Sequence, residues 1–161
     1  MSAGVSPEGS RIIVSGALTL ADAHELAPLL AAYVQEFKRG APRRPDDFYA
    51  ELLLQDRSAE IFGARLDGRL VGFAVFYDQP DSMTGLRRGQ LDDLFVIQDA
   101  RDRGVVRSLL DGLLNEGKRR GWTALRWLVP EKTPVRDHIA EKIGGPAGLK
   151  GYLIPISGAA K

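Results

Sequence analysis

Asp92 and Asp93 stand side by side in an apolar run that ends near Val96. A polar loop carrying Arg101 and Arg103 follows, then Gly104, then the periodic run that opens Val105-Val106-Arg107. Each of these residue types has a definite chemical use. A carboxylate at a cleft takes a proton from an ammonium, directly or through water. A helix start presents unpaired N–H groups and the positive end of the helix dipole, so it attracts anions. Glycine at that start lets the backbone approach a phosphate closely, and arginine pairs well with phosphate. The segment 91–114 therefore reads as strand, anion-binding turn, helix. Many phosphate-binding folds share that arrangement, and the same spacing also fits a solvated loop with ordinary surface arginines.

The elements that must position these residues follow from periodicity. Arg11–Ser15 is β-branched and reads as a strand. Thr19–Phe37 carries Leu26, Leu29, Leu30, Tyr33, Val34 and Phe37 at helical spacing, opens on a Thr19/Asp22 capping pattern, and contains Pro28, which predicts a kink or restart. The stretch 39–45 reads as loop, and Asp46-Asp47 opens a second helix with negative charge at its positive end. Ile61–Leu66 and Leu70–Tyr77 form a hairpin around Asp67-Gly68. A turn region over 78–89 leads to a strand over Gln90–Ile97, then a helix over Val105–Arg120 stopped by Gly121. Thr123–Val129 reads as a strand, Pro134–Ile143 as a helix, and Gly151–Ile156 as a last strand placed at an edge by Pro155. The fold class is α/β (α+β): a mixed, mostly antiparallel central sheet flanked by helices.

Composition narrows the function. The chain has 161 residues, the size of one domain spanning 1–161, with the small polar stretches 1–9 and 157–161 expected to fray. Lys and Arg number 22 against 21 acidic residues, without the basic excess of a nucleic-acid binder. Absence of cysteine removes disulfides, thiolate metal sites and a cysteine nucleophile, and fits a cytoplasmic setting. No leader-like segment and no apolar run of bilayer length is seen, so no membrane partner is expected. His24 and His138 lack a supporting carboxylate pattern, so no metal is expected. Lys118, Arg119 and Arg120 read as a solvated face, Trp122 and Trp127 as core. Asp46, Asp47, Glu51, Asp78 and Asp81 are weak candidates for an acidic rim.

The run R-D-R-G-V-V-R-S-L-L (101–110), behind L-D-D-L-F-V (91–96), resembles the acyl-CoA pyrophosphate loop Q/R-x-x-G-x-G/A of the GCN5-related N-acetyltransferases. Arg101 and Gly104 take the first two positions, and Val106 replaces the small third residue. The order of elements from Arg11 to Val129 agrees, and the Leu91-Asp92-Asp93 run with its flanks looks most like the diamine and polyamine branch. The resemblance implies acetyl-CoA as co-substrate, with no metal. Acetyl would pass by direct attack to a primary amine of a small molecule or peptide. It implies that Leu94, Phe95 and Val96 hold the pantetheine arm, splayed from the strand at Thr123–Val129. Arg101, Arg103, Gly104, Val105, Val106 and Arg107 would surround the pyrophosphate. It places Asp92, with its neighbour Asp93, as the carboxylate that deprotonates the amine. The family's helical tyrosine position falls on Ala140, with Thr133 and Arg136 also off pattern, so Tyr152 and His138 become substitute donors. A non-catalytic acyl-CoA sensing module is the rival reading, and the resemblance leaves room for a homodimer through edge strands.

Overall fold

The computed structural model describes residues 12–37 and 44–158. Residues 1–9, the Arg11 start of the first strand and most of the 39–45 loop lie outside them. The chain divides into two compact units, one running through Leu128 and the other starting at Val129.

The first unit contains β1 (Ile13–Ala17), α1 (Ala23–Phe37), α2 (Asp47–Gln55), β2 (Ala59–Leu66), β3 (Arg69–Pro80), β4 (Arg87–Val96), α3 (Val105–Arg120) and β5 (Trp122–Trp127). The strands form one five-stranded sheet in the order β1-β2-β3-β4-β5. The first three pairings are antiparallel and β4–β5 is parallel. The mixed, mostly antiparallel sheet expected from the sequence is present.

Alternation along the strands sorts side chains between two apolar layers. Ile61, Phe73, Val75 and Phe95 join Leu26, Leu29 and Leu30 of α1 and Ala50 of α2 in one core. Phe62, Phe76 and Trp122 form an edge-to-face chain of rings on the other side. There the α3 stripe of Val105, Leu109, Leu110 and Leu113 is buried. Gly121 ends α3 with φ 75°, a left-handed conformation that costs glycine nothing.

Several boundaries differ from the sequence reading. Thr19–Phe37 is a 3₁₀ turn over Leu20–Asp22 followed by α1, and Pro28 lies inside α1 without ending it. The Asp22 carboxylate accepts the Thr19 amide at 2.8 Å, half of the capping box. The turn expected over 78–89 shrinks because β3 and β4 extend into it. The Arg87–Asp78 ion pair at 2.8 Å ties the hairpin arms, and the Asp81 amide donates to the Leu86 carbonyl at 2.7 Å.

The second unit holds α4 (Pro134–Ile143), with Thr133 at its N-cap and Pro134 in its first turn. The strand expected at Gly151–Ile156 is not formed, and no sixth strand occurs among the described residues. Pro155 offers no N–H to a ladder, and Gly144, Gly145, Gly148 and Gly151 make ordering the approach expensive. Tyr152 therefore does not project from a strand.

Candidate active site

The site begins where β4 and β5 part. Their parallel pairing runs from Arg87 opposite Trp122 to Leu91 opposite Trp127. One further bond, from the Leu128 amide to the Leu91 carbonyl at 3.0 Å, closes it. From Asp92 to Val96, β4 is paired with β3 alone. The paired end is pinned by Trp122, whose ring rests on Gly89 and Gly117; a Cβ on either would lie 2.4 or 2.5 Å from it.

The parting coincides with a bulge. Val75 opposes Asp93 and Phe76 opposes Leu91, so Asp92 is the extra residue on β4. A bulge bends its strand and increases the local twist, and the β4–β5 pairing ends at this point. Beyond it, the Ile97 amide donates to the Val71 carbonyl at 2.9 Å. By the alternation of an antiparallel ladder, Asp93 and Phe95 then point their backbone groups at β3, while Leu94 and Val96 point theirs at the open edge. Of the strand residues whose backbone is expected to hold an extended ligand arm, Phe95 is opposite Phe73 of β3 and also contributes its ring to the core.

The bulge also gathers polar side chains. Asp93 accepts a 2.5 Å bond from the Tyr33 hydroxyl of α1. Asp92 accepts from the Gln90 amide at 3.0 Å, and Gln90 in turn accepts from the Arg126 guanidinium of β5 at 2.6 Å. Both carboxylates are half-buried. Among the described residues neither forms an ion pair; their donors are the neutral Tyr33 hydroxyl and the Gln90 amide. Burial pushes the Tyr77 hydroxyl above its usual range, and the charges of Asp92, Asp93 and Asp56 push the same way. Tyr77 thus stays protonated at neutral pH.

The loop after β4 leads to a helix start open to solvent. Gly104 is the N-cap of α3, with φ 79° and no capping side chain. The first helical bond runs from Ser108 to the Gly104 carbonyl at 3.0 Å, which leaves the amides of Val105, Val106 and Arg107 ahead of the ladder. A Cβ at Gly104 would meet only Ile13 Cδ1, at 3.9 Å. Val105 is buried at 2 % exposure, while Val106 is half-buried at the helix start.

The arginines divide their duties differently from the sequence expectation. The Arg101 Nε donates to the Val96 carbonyl at 3.0 Å, and its Nη2 to both Glu36 oxygens at 3.1 Å. Arg107 pairs with Asp111 at 2.9 Å, one turn along α3. Arg103 lines a hollow of about 290 Å³ with Arg69, Asp99 and Val71. The anion-attracting groups left at the turn are chiefly backbone amides.

Gln90 was missed from sequence, as were Tyr33, Glu36 and Arg126, whose partners lie 60, 65 and 36 positions away. Only the Gln90–Asp92 spacing, alternate residues of one strand, offered a local signal. Of the acids considered for a rim, Asp46 caps α2, Asp47 meets His24, Asp78 meets Arg87 and Arg120, and Asp81 meets Arg88. Arg120 is no solvated end-of-helix charge: it binds Glu60, Glu116 and Asp78. Among the described residues no group of acids and histidines is placed to hold a metal ion, and no helix is long and apolar enough to cross a membrane. Tyr152, His138, Thr133 and Ala140 belong to the second unit.

Residues 26–143 match the model of the Acetyltransferase (GNAT) family. Among solved structures, a ribosomal-protein-alanine N-acetyltransferase from Brucella melitensis biovar Abortus 2308 is 47% identical. It superposes with a TM-score of 0.81, covering 90% of this chain and all (100%) of that one. An aminoglycoside acetyltransferase from an uncultured soil metagenomic sample shares the fold at 20% identity and a TM-score of 0.75, over 91% of this chain and 99% of that one. An uncharacterized N-acetyltransferase, YhfO, of Bacillus subtilis (strain 168) is 26% identical over 100 residues, 62% of this chain and 67% of the relative. A sheet whose fourth and fifth strands part ahead of an uncapped helix start, in a chain matched over this span, belongs to an acetyltransferase of the GNAT family.

Proposed function

We propose that the protein moves an acetyl group from acetyl-CoA to a primary amine by direct attack, with the whole chain acting as one acetyltransferase domain. The observation that carries this reading is continuity. Leu94 and Val96 lie on the stretch of β4 that β5 leaves unpaired, and the next helix along the chain opens on the uncapped amides of Val105–Arg107. That geometry fits an extended amide-bearing arm ending in a diphosphate. The arm bonds to the strand edge as another strand would, and the diphosphate takes the orphan amides. The absence of a Cβ at Gly104 keeps the approach clear. Acetyl-CoA supplies an activated thioester carbonyl.

The chain's own contribution is position and proton handling. Holding the two reactants together offsets several kcal/mol of barrier. Asp92, held by Gln90, accepts the amine's proton through water, and Asp93, fixed by Tyr33, adds negative charge that draws an ammonium in. The family's usual tyrosine position falls on Ala140, so thiolate departs without a donor there. With a pKa of about 8.5 it leaves tolerably unaided. The 47%-identical Brucella structure is named for a protein alanine amine, which favours a peptide acceptor over a diamine. Ala140 is the residue that favours the second reading, an acyl-CoA sensing module.

CoA release across peptides with N-terminal alanine, diamines and aminoglycosides tests both. Turnover on the alanine peptides, reduced about 10²-fold or more in Asp92→Asn, supports the proposal. Tight CoA binding without turnover on any acceptor supports the sensor, and unchanged turnover in Asp92→Asn removes that carboxylate from the chemistry.

A further inference from the structure

The guanidinium of Arg101 is committed on three sides. Its Nε caps the Val96 carbonyl, its Nη2 spans both oxygens of Glu36 at the end of α1, and its carbon lies 5.8 Å from the centre of the Phe95 ring. Phe95 in turn packs edge-on against Tyr33, the donor to Asp93. Val96 is the last residue of β4, and its carbonyl is on the open edge. Arg101 thus closes that edge one bond after Leu94 and the Val96 amide, and sets where an arm lying along it must stop and turn toward α3. A single guanidinium reaches both Glu36 and the strand, its Nη2 held by the carboxylate while its Nε faces Val96.

We infer that Glu36 is a positioning residue for acetyl-CoA. It holds Arg101 as the end-stop of the β4 edge and keeps it from serving as a phosphate ligand. The assignment rests on the acetyl-CoA reading above. It differs in sign from the alternative. If Arg101 were a phosphate ligand restrained by Glu36, removing the carboxylate's charge would release it and tighten CoA. If Glu36 positions the end-stop, removing the charge loosens the edge and weakens every ligand that uses the edge, phosphate-bearing or not.

The test is calorimetry on the full chain with CoA and with phosphate-free S-acetylpantetheine, comparing wild type, Glu36→Gln and Glu36→Asp. The Glu36–Arg101 pair is about two-fifths exposed, 39% on each side. Solvent screening therefore limits the expected loss in Glu36→Gln to about three- to fivefold, equal for both ligands. Glu36→Asp should recover part of it, and thermal melts without ligand should show each variant folded. A general loss of structure would not be rescued by aspartate at unchanged midpoint. Tighter CoA binding with unchanged S-acetylpantetheine would overturn the assignment in favour of a restrained phosphate ligand. Unchanged affinity for both would overturn it outright, leaving the acetyl-CoA reading standing if wild type binds CoA. A wild-type chain that binds neither ligand would overturn both.

Discussion

Gly104→Ala separates the strain of the helix start from its use. Gly104 has φ 79°, in the left-handed region, where an L side chain costs about 1–2 kcal/mol. The new methyl would meet nothing closer than Ile13 Cδ1 at 3.9 Å, so no steric clash adds to that strain. Alanine also restricts the unfolded chain, which recovers a few tenths to about 1 kcal/mol. The net expectation is a loss of about 1 kcal/mol, or about 2–4 °C in melting temperature for a chain of this size. Binding should suffer more. A methyl over the orphan amides displaces a diphosphate from at least one charge-assisted bond, worth about 1.5–3 kcal/mol, so CoA affinity should fall about 10- to 100-fold. Thermal melts give the first quantity and calorimetry with CoA the second. Gly104→Asn is the control, because asparagine tolerates the left-handed region: stability should return while binding stays weak. An alanine variant that binds CoA as tightly as wild type would refute the placement of the anion site. One as stable as wild type would refute the strain.

Much of the frame was legible because it depends on local pattern. The Val105–Arg120 helix carries its own apolar stripe and its own glycine stop, so its boundaries follow from spacing alone. Pro134–Ile143 is legible for a similar reason, with proline at its start. Gly151–Ile156 failed because a strand needs a partner, and three apolar residues beside a proline do not reveal one. The bulge at Asp92 was invisible for a related reason. It is a property of register between β3 and β4, and no residue type marks it. With the bulge hidden, so was the sorting of Leu94 and Val96 to the open edge and Phe95 to the core. The acid pair was found by type, but its tethers were not: Tyr33 looked like one more apolar-face residue of α1, and Gln90 and Arg126 were read only as members of their strands.

Gly89→Ala should cost about 1–3 kcal/mol in urea unfolding, because its Cβ would lie 2.4 Å from the Trp122 ring, already pressed against Gly117 from α3; a neutral effect would mean that β5 is not pinned there. Acid should destabilise the chain. Hydrogen bonds from Arg65 hold the Glu25 carboxyl below its usual 4.5, and bonds from Arg119 and then Arg120 do the same for Glu116. Groups lowered on folding contribute stability that is present above pH 4.5 and is lost as pH falls through their folded values. Melting temperature should therefore drop below about pH 4.5, and less steeply in Glu116→Gln.

Amide hydrogen exchange with and without acetyl-CoA tests the central claim most directly, since it reads the backbone groups that the account assigns. Without ligand, Asp93 and Phe95 should already exchange slowly, because they bond to β3, while Leu94, Val96, Val105, Val106 and Arg107 exchange faster. Added acetyl-CoA should slow those five and leave Asp93 and Phe95 nearly unchanged. Saturating acetyl-CoA that leaves Leu94, Val96 and the start of α3 unprotected, or that protects a different surface, would contradict the account.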